Sequence, residues 1–207
     1  MARWEPNARE RLEKAAMELF RERGFDETAV ADIAARAGLT ERTFFRYFAD
    51  KREVLFGGSP ALQEMLVKTI AAEPAGRRPI DLVLAAYEAT SPIFEPRRPY
   101  AKARTAIVAT HPALMERELI KLAALGAAVA EALRARGVAE PAATLASEAG
   151  VAIFKLAFER WVEEDQKGDK KKDLVHHLRA ALAQLEALTA PRPVRGPSRQ
   201  RPRSAAR

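Results

Sequence analysis

Apolar residues recur along most of this chain at helical spacing, and the alternation that marks β-strands is almost absent. The first such segment follows Asn7, a residue suited to cap a helix, with Glu10 three positions later as in a capping box. One apolar face then consists of Leu12, Ala15, Ala16, Leu19 and Phe20. Gly24 is expected to end this helix. The pattern predicts an all-α fold.

A second, short helix is predicted after Thr28, which takes the N-cap position. Its apolar positions are Val30, Ile33, Ala34 and Ala37. Gly38 follows, where a tight turn requires a positive φ. Thr40 then caps a third helix over about residues 41–48.

The third helix has two different faces when its residues are placed 100° apart. Phe44 and Phe48 share one face and are expected to point inward, where they complete a small three-helix core. The opposite face carries Arg42, Thr43, Phe45, Arg46 and Tyr47. These side chains have no place in such a core, so we expect them to face outward.

A short helix, a glycine turn and a helix with a basic, aromatic outer face together indicate a helix-turn-helix. An arginine fork can bind guanine O6 and N7, and Thr43 and Phe45 can contact a thymine methyl group. The Tyr47 hydroxyl can donate to a phosphate. The sequence therefore predicts double-stranded DNA as a partner.

The chain continues with further helices. Asp50 and Glu53 are expected to cap a fourth helix, which “GGSP” interrupts or restarts with Ser59 as a new N-cap and Pro60 at the first position. The later helices are predicted at about 60–73, 79–95, 97–109, 112–136, 140–166 and 172–189.

The formal net charge of +7 says less than its distribution along the chain. Residues 1–56 contain 11 basic and 11 acidic side chains, whereas residues 190–207 contain six arginines and no acid. This Pro/Arg-rich tail is expected to stay disordered, and either binds DNA as a flexible arm or touches nothing. We therefore predict a DNA-binding domain at 1–56, a larger helical domain at 57–189, and the tail.

Composition also narrows the function classes. The chain has no cysteine, which excludes thiolate chemistry, and its apolar runs are too short to span a bilayer. We expect a cytoplasmic protein with no membrane partner. No phosphate loop, HExxH or nucleophile motif occurs, and His111, His176 and His177 are too scattered to indicate a metal site. The sequence predicts neither an enzyme nor a cofactor.

The stretch “AAMELFRERGFDETAVADIAARAGLTERTFFRYFADKREVL” carries a specific resemblance. Over residues 9–56 the chain resembles the N-terminal domain of the tetracycline-repressor (TetR) family of transcriptional regulators. The resemblance implies a homodimer with a helical ligand-binding domain, whose small-molecule effector releases it from a palindromic operator, most simply as a repressor. The alternative is an architectural DNA-binding protein without an effector.

The resemblance also implies roles for individual residues. Phosphate contacts fall to Thr28, Tyr47 and Lys51, and base or near-base contacts to Arg42, Thr43 and Phe45. Thr40 belongs to the same surface, and Arg46 either contacts DNA or stays solvated. The family often has Gly at the place of Arg42 and Tyr at the place of Phe45, so the operator sequence of a relative does not transfer to this chain.

The larger domain resembles the family in length, helicity and order. A ligand pocket between its central helices has as candidates Tyr87, Phe94, Tyr100, Met115 and Phe154, each of which is alternatively ordinary core. The last two helices are implied to form a four-helix interface with a second copy, or their apolar stripes close the monomer core. Those stripes contain Phe158, Trp161, Leu174, Leu178, Leu182 and Leu185.

Overall fold

The computed structural model describes residues 7–164 and 172–190, and these residues form helices joined by turns, without a strand. The all-α prediction is thereby confirmed. The predicted tail beyond residue 190 lies outside the described residues.

Residues 7–56, here called the head, contain three α-helices and a short 3-10 helix. Asn7 begins the first helix by accepting a hydrogen bond from the Arg9 N–H at 3.2 Å. Gly24, at φ 87°, ends it, and Gly38, at φ 65°, makes the turn before the third helix. The elements are α1 (Ala8–Arg23), α2 (Val30–Arg36), α3 (Glu41–Tyr47) and the 3-10 helix Arg52–Leu55.

Residues 57–164 and 172–190, here called the body, contain the remaining helices. They are α4 (Ser59–Ala72), α5 (Pro79–Glu88), α6 (Ser91–Phe94), a 3-10 turn (Glu95–Arg97), α7 (Arg98–Ala109), α8 (Pro112–Ala135), α9 (Ala142–Glu163) and α10 (Leu174–Thr189). The long helices α8, α9 and α10 pack side by side, with α5 against α9 and α4 against α8.

Thr28 is not the N-cap of α2, contrary to the prediction. Its hydroxyl donates to the carbonyl oxygen of Gly24 at 2.8 Å, so the side chain folds back towards the end of α1. Ala29 occupies the N-cap position. The Asp32 carboxylate accepts from the Ala29 N–H at 3.4 Å, so an acidic residue inside the helix stabilises its start.

Two predicted helices differ in extent. Asp50 accepts from the N–H groups of Arg52 and Glu53, as expected of a cap, but the turn that it opens is a four-residue 3-10 helix. The next helix begins at Ser59, with Gly58 as its N-cap. The helix predicted at 79–95 ends at Glu88 because Pro92 lacks an N–H and its ring would clash with the Glu88 carbonyl in a continuous helix.

The described residues form two hydrophobic cores, and the core of the head extends into the body. Phe44 and Phe48 pack with Leu19, Phe20 and Ile33 as predicted. The same core includes Val108 of α7 and Leu114 of α8. The head is therefore packed directly onto the corner between α7 and α8. No described helix is long and apolar enough to cross a membrane.

Candidate DNA-binding surface

Helix α3 divides into a buried face and an exposed face along the line that its sequence predicts. Phe44 is fully buried and Phe48 nearly so, whereas Phe45 is 53% and Tyr47 37% exposed. The exposed Phe45 ring meets the buried Phe44 ring edge-on, with centroids 5.5 Å apart. The apolar tip of α3 is thus presented to solvent on a rigid base.

The start of α3 is fixed by two threonines. The Thr40 hydroxyl oxygen accepts from the Thr43 N–H at 3.2 Å, and the two hydroxyl oxygens lie 3.0 Å apart. This cap holds the first turn in place. Thr43 is half-buried and Thr40 exposed, so both lie at the margin of the exposed face.

Arg42 and Arg46 are exposed on the same helix. The Arg46 guanidinium donates to the Tyr47 hydroxyl oxygen at 3.2 Å and lies 4.9 Å from the centre of its ring. Because the tyrosine oxygen accepts this bond, its own O–H remains available to donate to an oxyanion. The surface therefore combines cations, a hydroxyl donor and an exposed ring.

Thr28 and Lys51 were predicted to contact phosphates, but in the structure both side chains donate hydrogen bonds to backbone carbonyl oxygens of the head. Thr28 is 1% exposed, with its hydroxyl bonded to Gly24. The Lys51 ammonium donates to the carbonyl oxygens of Phe25 and Thr28 at 2.6 and 2.9 Å, and lies 4.3 Å from the centre of the Phe25 ring. Burial lowers the pKa of Lys51, while the nearby charges of Asp26 and Glu27 oppose this shift.

Sequence reasoning missed the contacts that the body makes with the head before α2 and after α3. Before α2, the His111 ring meets the Phe25 ring at 4.8 Å, and His111 Nε2 lies 2.8 Å from an Asp26 carboxylate oxygen. After α3, Glu53 accepts from Arg117 and Lys121 of α8 at 2.6 and 3.2 Å. The partners in these pairs are separated by 64 and 68 positions in the chain, so no local sequence pattern indicates the pairing.

A third connection runs through Arg104 of α7. Its guanidinium donates to the Leu55 carbonyl oxygen at 2.7 Å and forms a two-pronged ion pair with Glu118 of α8. The same group lies 4.8 Å from the centre of the Phe56 ring. Because α7 and α8 both take part, a shift of either helix would change the contacts of Leu55 and Phe56 at the end of the 3-10 helix.

The body brings some of the predicted ligand residues together and separates the others. Five rings pack in a continuous group, here called the aromatic cluster: Tyr87, Phe94, Phe154, Phe158 and Trp161. Tyr100 packs against the head core instead, under the Arg97 guanidinium. Met115 is exposed near the start of α8.

Side chains predicted for the dimer interface lie in the core of the monomer. Those fully or nearly buried are Trp161, Leu174, Leu178 and Leu182, and Phe158 and Leu185 pack against them. Other apolar residues of the same two helices are exposed: Leu145, Ala152 and Leu156 on α9, and Leu188 on α10. At spacings of seven and four, the three α9 residues fall on one face.

The N-terminal segment matches a described protein family. A model of “Bacterial regulatory proteins, tetR family” matches residues 12–56, which contain α2, α3 and most of α1. Among curated proteins, the HTH-type transcriptional regulator TcmR of Streptomyces glaucescens is 36% identical over 81 residues. A putative mycofactocin biosynthesis transcriptional regulator, MftR, of Mycobacterium tuberculosis is 44% identical over 46 residues.

These two alignments cover 39% and 22% of this chain, and 36% and 23% of the relatives. Similarity to solved structures extends further along the chain. Thermus thermophilus FadR, described as a TetR-family transcriptional repressor in complex with lauroyl-CoA, is 27% identical, with a TM-score of 0.51 over 91% of this chain and 98% of that one. A regulator from Syntrophomonas wolfei has a TM-score of 0.56 at 18% identity, covering 87% and 94%.

Proposed function

We propose that this chain is a regulator of the TetR family, a ligand-responsive repressor that binds a palindromic DNA operator as a homodimer. The observation that carries the proposal is the exposed face of α3. It presents two arginines, a tyrosine hydroxyl and a phenylalanine ring on a helix whose opposite side is locked into the head core.

Base reading is assigned to the centre of this face. Arg42 is exposed in the first turn of α3, where a guanidinium can reach guanine O6 and N7 in the major groove. Phe45 and Thr43 offer a ring and a methyl group to a thymine methyl. Arg46, which braces Tyr47, adds positive charge beside these contacts.

Phosphate binding is assigned to the margin of the face. Tyr47 has a free O–H to donate, and the Thr40 hydroxyl is exposed at the start of the helix. Lys51 contributes mainly by shaping the head, because its ammonium is bonded to carbonyl oxygens of the turn before α2. Thr28 contributes in the same way through its bond to Gly24.

The homodimer is proposed to form through the outer faces of α9 and α10. Exposed Leu145, Ala152 and Leu156 give α9 an apolar stripe, and Leu188 adds an exposed leucine near the end of α10. The buried residues behind the stripe keep the two helices rigid. Two copies related by a twofold axis would pack four helices together and hold two heads at a fixed separation.

An effector is proposed to act by changing that separation. The body contacts the head through the His111–Asp26, Arg117–Glu53 and Arg104–Leu55 pairs. A rearrangement within the body is therefore transmitted to both ends of the unit that holds α3. Coupling of about 1–3 kcal/mol between effector and operator is typical, and DNA must weaken effector binding by the same factor.

The deciding experiment is selection of genomic fragments that the purified full-length protein binds, followed by footprinting of the enriched fragment. The proposal requires a discrete palindromic footprint with half-sites about 34–36 Å apart, or a multiple of that distance. Uniform coating of DNA with little sequence preference would instead favour an architectural protein. Genes beside the selected site would indicate the regulated process.

A further inference from the structure

Two polar groups inside the aromatic cluster have no hydrogen-bond partner among the residues that the structure describes. They are the hydroxyl group of Tyr87 and the indole N–H of Trp161, on side chains that are 1% and 0% exposed. Leaving such a group unpaired in a protein interior costs free energy, and native structures contain few examples. Two of them within one group of packed rings call for a physical reason.

The position of Tyr87 is fixed by a close approach of two helices. Gly150 of α9 faces α5, where an added Cβ would lie 2.2 Å from a Val83 methyl carbon and 3.2 Å from the Tyr87 ring. The Tyr87 ring also stacks on Phe154, with centroids 4.8 Å apart and planes 16° from parallel. The ring is held by α9 through both contacts, so its hydroxyl is kept inside the body.

Both unpaired groups have a hydrogen to donate. The Trp161 indole is a donor only, and a phenol donates as long as it keeps its proton. Burial, reinforced by the charge of Glu148, raises the pKa of Tyr87, so the hydroxyl stays protonated at neutral pH. Each of these donors therefore calls for an acceptor such as an oxygen atom. Charges of both signs lie near the cluster, since Glu148 acts at Tyr87 and the Arg98 guanidinium lies 5.2 Å from the centre of the Trp161 ring.

The cluster also has a more accessible side. Phe94 and Phe158 are only half-buried, and their rings meet edge-on at 5.3 Å. Phe94 belongs to α6, a helix of four residues that is followed by a 3-10 turn. Such a short element has few hydrogen bonds of its own and can move at lower cost than α5 or α9. Displacing Phe94 would expose the flat faces of the inner rings.

We infer that the effector of this protein is a planar aromatic molecule with a carbonyl-type acceptor oxygen, which enters beside Phe94 and accepts a hydrogen bond from the Tyr87 hydroxyl. This inference rests on the proposed function, since it specifies the ligand of the proposed regulator. Flat rings match the stacking surfaces of the cluster, and the acceptor satisfies a buried donor that is otherwise unpaired.

The probes for the test are flavone, which is planar, neutral and bears a carbonyl group, and 2-phenylnaphthalene, which has a similar shape and no oxygen. The chain has two tryptophans, Trp4 and Trp161, so a Trp4→Phe variant reports on Trp161 alone. We expect flavone to cause a saturable change in the fluorescence of Trp161. Its dissociation constant should be at least about 10-fold below that of the hydrocarbon.

The hydroxyl is tested by Tyr87→Phe in the same background, with Tyr100→Phe as the matched control at a tyrosine outside the cluster. Tyr87→Phe should weaken flavone binding about 10-fold, leave the hydrocarbon unaffected, and keep or raise the melting temperature of the free protein, because it removes an unpaired buried group. Tyr100→Phe should not alter the preference for flavone.

Several outcomes overturn the inference. It is overturned if the two probes bind with equal affinity, if the Tyr87→Phe variant binds flavone unchanged, or if neither probe binds. Binding of lauroyl-CoA with no binding of flavone would place the ligand in the acyl-chain class instead. None of these results affects operator binding by the ligand-free protein, so the inference can fail while the proposed DNA-binding function stands.

Discussion

The ammonium nitrogen of Lys51 lies 2.6 Å from the carbonyl oxygen of Phe25, a residue 26 positions earlier in the chain. It also donates to the Thr28 carbonyl, so one side chain ties the segment after α3 to the turn before α2. A cation bonded to backbone carbonyls is a strong tether. The orientation of α3, the helix proposed to read DNA, therefore depends on a residue outside its exposed face.

Replacing Lys51 by Met should lower the free energy of unfolding by about 1–2 kcal/mol, because it removes the charge-assisted hydrogen bonds to carbonyl groups of the turn. Lys68→Met is the matched control, since Lys68 is largely exposed and pairs with Glu64 within one helix. Its effect should stay below about 0.5 kcal/mol. Urea denaturation of both variants provides the measurement. Equal stability would return Lys51 to a role as a simple phosphate contact.

Arg42→Ala should weaken operator binding by about 1–3 kcal/mol and relax the preference at one base pair, because an arginine fork reads a single guanine. Tyr47→Phe should instead weaken all DNA sequences alike, since phosphates carry no sequence information. Binding measured at fixed salt to the selected site and to single-base variants separates the two effects. A uniform loss with Arg42→Ala would remove this residue from the reading surface.

Leu156→Glu should convert the dimer into monomers and abolish tight operator binding, because it places a charge in the apolar stripe of α9. Ile120→Glu is the control, since Ile120 is an exposed apolar residue of α8 outside the proposed interface. Sedimentation velocity at micromolar concentration reads out the oligomeric state. If the Ile120 variant dissociates and the Leu156 variant does not, the interface involves α8 instead.

Glu53→Gln should loosen the contact between head and body, because it removes the carboxylate that Arg117 and Lys121 share. We expect amide hydrogen exchange in α3 to become faster, corresponding to a loss of about 0.5–1.5 kcal/mol in local stability. Glu64→Gln, which affects an exposed ion pair within α4, is the control. Unchanged exchange in α3 would show that this contact does not stabilise the head.

Gly150→Ala should lower the free energy of unfolding by about 1–3 kcal/mol, because its Cβ would lie 2.2 Å from a Val83 methyl carbon in a packed interface. Gly58→Ala should instead raise the free energy of unfolding. No atom lies within 4 Å of the added Cβ and φ is −82°, so alanine fits and restricts the unfolded chain, for a gain of about 0.4–1 kcal/mol. Thermal unfolding of both variants checks the contrast.

The sequence alone was sufficient to predict the all-helical fold and the two faces of α3. Both depend on local periodicity: Phe44 and Phe48 lie four residues apart and share the buried face, whereas Phe45 and Tyr47 lie on the other side. The boundary at Gly24 and the cap at Thr40 were also local, because glycine and threonine act on neighbouring backbone groups.

The tertiary structure decided the partners of those long side chains that bind residues far along the chain. The sequence predicted a phosphate for Lys51, but the carbonyl oxygens that it binds belong to residues far along the chain, and no spacing rule brings them together. For the same reason the apolar stripe of α10 could be divided between core and surface only after α9 had packed against it. Periodicity specifies which residues share a face, and long-range packing determines what that face meets.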